Sequence, residues 1–228
     1  MKKLILPIAI LLLVGIIVMV LVSADFIQNY NSVDNTVTFN FKKAGWYLLS
    51  PRASYVDPRC DNSDSIRAVW IWLPSQQRYV GVNTERSSGS SSSDDGKLFE
   101  SEISSGYFKE GLSSVWIYLS RPCTISFKFH SSNQNSIKLA KGWNFLLVNP
   151  LYNGKSLNEL KGDCNIVKAY GWNADVGGWS KIGLSLNDAN SRFDDSSVGS
   201  GFIVKVSGNC TFGSESANIL NPPEIPNY

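Results

Sequence analysis

From residue 25 onward the chain reads as short runs in which apolar and polar positions alternate. Val37, Phe39 and Phe41 alternate with threonine and asparagine. They are followed by "IRAVWIWLP" (Ile66–Pro74), "SSVWIYLSRPCTISF" (Ser113–Phe127), "NIVKAYGW" (Asn165–Trp172) and "GSGFIVKVSGNCTF" (Gly199–Phe212). The runs are rich in Val, Ile, Trp, Tyr and Phe and are bounded by Gly, Pro, Asn, Asp or Ser, which predicts strands joined by turns. Beyond residue 24 no stretch sustains a helical period over three turns, and only Ser156–Lys161 predicts one short helical turn. The expectation is an all-β protein.

The N-terminus breaks this pattern. Lys2 and Lys3 precede the uncharged, Leu/Ile/Val-dominated stretch from Leu4 to Ala24. A helix of that length, roughly 30 Å, spans a bilayer. Residues 1–24 therefore predict a transmembrane anchor with its lysines inside and Asp25 onward exported. Val22-Ser23-Ala24 also resembles a signal-peptidase site, so secretion after cleavage near Ala24 is the alternative. Both readings put the rest of the chain outside the cytoplasm. Of 21 basic and 19 acidic residues, only Lys2 and Lys3 lie in this segment, so the exported part is neutral. That balance argues against nucleic-acid binding, which depends on phosphate neutralisation.

The exported part repeats itself. A first copy runs from Val37 through Gly45-Trp46, Cys60 and Ile66–Pro74 to the strand before Cys123-Thr124. A second runs from Ile137 through Gly142-Trp143, Cys164 and Asn165–Trp172 to the strand before Cys210-Thr211. The predicted organisation is a linker (25–36), a β-module (37–129), a polar linker (130–136), a second β-module (137–213) and a Pro-rich extended tail (214–228). The modules are expected to be small and sandwich- or barrel-like. Exported cysteines two per copy favour the bridges Cys60–Cys123 and Cys164–Cys210. Cys-x-x-Cys is absent and the single histidine, His130, falls in the polar linker, so neither metal nor cofactor is expected.

In the second copy Gly142-Trp143-Asn144, the apolar run to Pro150, Tyr170, Trp179 and Gly199-x-Gly201-Phe202 resemble a β-repeat of archaeal cell-surface and S-layer-related proteins. The first copy matches less fully, with Tyr47 at the asparagine position and Ser114-Val115-Trp116 at the later motif. The resemblance implies an envelope setting and an adhesive or structural role; it implies no reaction.

No residue set points to catalysis. His130 lacks a partner motif, Asp94-Asp95 and Asp194-Asp195 read as solvated turns, and the loop Arg86–Gly96 reads as a surface insertion. Asp61–Ser65 and Asn187–Asp195 offer clustered oxygens without the spacing of a calcium loop. Asn209-Cys210-Thr211 fits a glycosylation sequon whose middle residue is bridged. Tryptophan carries the functional interest. Alternation puts Trp70 and Trp72 on one face of a strand, where with Trp172 and Trp179 they offer a stacking platform, a partner interface or core. The expected function is a non-enzymatic cell-envelope protein contacting other surface proteins or glycans, held to the membrane by its N-terminal helix. The alternative is a carbohydrate-binding protein using exposed tryptophans.

Overall fold

The computed structural model describes residues 26–51, 54–55, 60, 65–82, 94–129, 136–185, 188 and 191–213. Residues 1–24, His130 and the tail 214–228 lie outside the described residues. Among the described ones no helix is long and apolar enough to cross a membrane.

The first half forms β1 (Phe26–Asn31), β2 (Thr36–Phe41), β3 (Gly45–Leu49), β4 (Ser54–Tyr55), β5 (Ile66–Leu73), β6 (Arg78–Val82), β7 (Val115–Leu119) and β8 (Cys123–Lys128). They pair into two antiparallel sheets ordered β1-β2-β8-β4 and β3-β7-β5-β6. The second half forms β9 (Ile137–Leu139), β10 (Gly142–Leu147), β11 (Ile166–Asn173), β12 (Gly178–Lys181), β13 (Gly201–Val206) and β14 (Cys210–Phe212), in sheets ordered β10-β13-β11-β12 and β14-β9. The two inner four-stranded sheets thus have one strand order read twice. Their register shifts also correspond, at Ile66/Ala68 and at Ile166/Lys168.

Three apolar clusters separate the four sheets. Val37, Phe39 and Phe41 of β2 and Ile125 and Phe127 of β8 pack against Tyr47, Ile71, Leu73 and Ile117 of the neighbouring sheet. Ile137, Leu139 and Phe212 pack in the same way on Phe202, Val204 and Val206. Alternation sends the remaining side chains of the inner sheets toward each other. There Leu48, Phe145 and Ile203 meet Trp72, Trp116, Trp143, Tyr170 and Trp172.

The halves are interlocked. Leu147 and Val198 of the second half belong to the first cluster, and Leu112 of the first half belongs to the second. The expected linker 25–36 contains β1, and Gln28 on that strand donates to the carbonyls of Val198 and Asp195 and accepts from Ser200 Oγ.

A 12-residue helix, α1 (Asp94–Ser105), corrects the expectation of no helix beyond Ser156–Lys161 and of a turn at Asp94-Asp95. Its two N-terminal aspartates suit the positive end of the helix dipole. Gly106, at φ +80°, closes it: Gly106 N–H donates to Ile103 O and Tyr107 N–H to Glu102 O, a Schellman cap. Glu102, 2 % exposed, accepts from the backbone N–H and hydroxyl of Ser75 and so ties the helix to the β5–β6 turn. The second helix, α2 (Leu157–Leu160), is the expected short turn, started by a capping box between Ser156 and Glu159.

Candidate functional site

Gly-Trp-Asn is first a turn device. Gly142 takes φ +107°, and the buried Asn144 amide donates to Ala140 O (2.8 Å) and accepts from Ala140 N–H (3.0 Å). In the first half Tyr47 replaces this asparagine, and its hydroxyl donates to Lys43 O (2.9 Å), the matching carbonyl. The two side chains differ; the bond across the turn is kept.

The tryptophans that follow these glycines clasp the halves together. Trp72 Nε1–H donates to Trp143 O (2.8 Å), and Trp172 Nε1–H donates to Trp46 O (2.9 Å). Each half reaches across to the Gly-Trp backbone of the other, an approximate two-fold relation. Bridges between Leu49 and Ser200 and between Ser113 and Leu146 follow the same relation. Gln77 adds a contact on one side only, accepting from Trp143 N–H (2.7 Å) and donating to Trp143 O (3.0 Å). Trp172→Phe is therefore expected to lower stability by about 1 kcal/mol, and Trp72→Phe by less, because Gln77 still serves Trp143 O. Urea unfolding of both variants checks the order.

The two halves of the seam differ in filling. In register, Trp70 stands opposite Trp116, whereas Tyr170 stands opposite Ile203. Trp116 fills its side, edge-on to Trp172 (4.8 Å) and Trp179 (5.6 Å), with Nε1 donating to Tyr79 OH (3.3 Å). The smaller Ile203 leaves an open recess of about 400 Å³ lined by Trp72, Tyr79, Trp143, Phe145, Tyr170 and Trp179. Burial holds the Tyr79 phenol above its ordinary pKa, against the lowering effect of the Trp116 bond.

Of the four tryptophans singled out in the sequence, Trp72, Trp172 and Trp179 come together at the seam. Trp70, 41 % exposed, lies over Gly81 instead. Tyr79, Trp143, Phe145, Tyr170 and Ile203 were not anticipated as a group, since only the cross-sheet packing unites them.

Both expected disulfides are formed, Cys60–Cys123 and Cys164–Cys210, with Cα separations of 5.5 and 5.0 Å. Asp163 lies beside the second, but both sulfurs are bonded to each other and its carboxylate accepts from Thr211 N–H. Asp194 and Asp195 accept from Ser196 and Asn153 as turn residues do. No protein-family model, curated protein or solved structure matches the chain.

Proposed function

We propose that this is a non-enzymatic cell-envelope surface protein. Two disulfide-stapled β-modules, copies of one unit by internal duplication, are clasped into one body and tethered outside a membrane by residues 1–24. The body then contacts other surface components. The observation that carries this reading is the pair of matched disulfides, which persist in oxidising, extracytoplasmic surroundings and accompany an apolar N-terminal segment. The matched strand orders, register shifts and reciprocal tryptophan bonds support duplication. The Gly-Trp-Asn resemblance supports an envelope setting.

A second reading, glycan binding, is favoured by one observation: the aromatic recess beside Ile203 is open. The envelope reading is tested by treating intact cells with a membrane-impermeant amine reagent. Labelling of the full-length chain in the membrane fraction, with non-reduced peptides linking Cys60 to Cys123, is the expected result. Labelling only after lysis overturns it.

A further inference from the structure

The matched positions around the seam differ by one change of chemistry. Where the first inner sheet has the cross-strand pair Ala68–Tyr118, the second has Lys168–Lys205. Where Gly81 faces Trp70, Lys181 faces Tyr170. The Tyr118 ring lies 5.1 Å from Trp46; at the matching place Lys205 Nζ lies 5.8 Å from the ring centre of Trp143. Three uncharged positions have become lysines, all exposed. Lys205 lies over Trp143, a wall of the recess, while Lys168 and Lys181 line the groove that adjoins it at Tyr170. Among the described residues none of the three forms an ion pair. Like charges directly opposite on neighbouring strands oppose folding. Asp188 shares the adjoining groove with Lys168 and Lys181, and an anion from outside the chain would neutralise the Lys168–Lys205 pair.

We propose that the recess and its lysine border bind an acidic glycan, one carboxylated sugar ring seated in the recess and its carboxylate, with that of a neighbouring residue, held by Lys168, Lys181 and Lys205. This rests on the reading of the chain as a surface contact protein. The other half of the seam shows what the space accepts: there an indole ring, Trp116, lies against the matching aromatic walls. A pyranose presents a flat C–H face to such walls and keeps its hydroxyls in water. An extended acidic peptide fits less well. Its backbone N–H and C=O groups would be buried against walls that are almost wholly hydrocarbon.

The test is calorimetric titration of the purified full-length chain with a trimer of galacturonic acid and with the neutral galactose trimer. The acidic trimer is expected to bind, more weakly as salt rises, and at least about tenfold more tightly than the neutral one. Lys168→Gln with Lys205→Gln should remove about that tenfold. Ile203→Trp, which installs the residue of the other half, should abolish binding; if that variant does not fold, Tyr170→Ala removes a wall instead. Equal binding of the neutral trimer, equal binding of oligoglutamate, or unchanged binding by Ile203→Trp overturns the proposal. So does a dimer that Ile203→Trp dissociates, which would make the recess an interface between copies. Loss of binding with surface labelling intact sinks the glycan assignment alone, whereas absence of surface labelling sinks the envelope reading.

Discussion

Gly199→Ala lowers the unfolding free energy by about 2–5 kcal/mol, the sum of overpacking and left-handed backbone strain. Gly199 has φ +83°, and a Cβ there would stand 2.8 Å from Phe127 Cζ, 2.9 Å from Val37 Cγ1 and 3.2 Å from Phe39 Cε2. Those rings belong to the first core, while Gly199 leads into β13 of the second half. Its N–H donates to Val148 O (2.8 Å), and the Val148 N–H donates to Ser200 O (2.9 Å), so the backbone cannot retreat without breaking this pair. Gly177→Ala is the control. It has a similar φ of +60° and nothing within 4 Å of its added methyl, so only the backbone cost of about 1 kcal/mol remains. Urea unfolding followed by tryptophan fluorescence checks both. The interlock adds a second expectation: Gly199→Ala should shift one cooperative transition of both halves rather than split it. Two transitions, only one of them shifted, would show that the modules fold separately.

That interlock marks where sequence reasoning stops. Strands were legible because alternation is local, and Val37-Thr38-Phe39-Asn40-Phe41 announces its buried face without reference to the rest of the fold. The disulfides were legible because the repeat placed each pair at equivalent positions. Helix α1 was not, because its apolar contact with the body is small: Leu98 and Phe99 pack on the core, and the other ties are polar, from Glu102 to Ser75 and from Asp95 to Arg78. Its ends carry the information: Asp94-Asp95 begins it and Gly106 stops it. The repeat aligned Tyr47 with Asn144, but their shared role was hidden, since nothing in a phenol and an amide announces that both bond across the same turn. The recess was the least legible feature. It depends on Ile203 standing where Trp116 stands in the other half, and that correspondence matters only once the two sheets face each other.

The second large effect is expected at Cys60–Cys123. On the chain-entropy account, a bridge spanning 63 residues contributes about 4 kcal/mol, and one spanning 46, Cys164–Cys210, only about 0.3 kcal/mol less. Loop length therefore does not separate them, but burial does. Cys60 and Cys123 are each 1 % exposed within the first core, which also receives Leu147 and Val198, whereas Cys210 is only half-buried. Replacing the first pair by alanines adds a cavity term from two lost buried sulfurs, of order 1 kcal/mol or more, to the entropic loss. Cys164 is also buried, 3 % exposed, so the second pair loses one buried sulfur against two. Cys60→Ala/Cys123→Ala should accordingly be less stable than Cys164→Ala/Cys210→Ala by about half that term, and removal of both bridges should cost about 8 kcal/mol. Against the ~5–15 kcal/mol that holds a folded domain together, the four-alanine chain should be largely unfolded at 37 °C. Thermal unfolding of the three variants by circular dichroism ranks them. Equal melting temperatures for the two single-bridge variants would mean that the interlock spreads each loss over both halves, so that neither core is the weaker one.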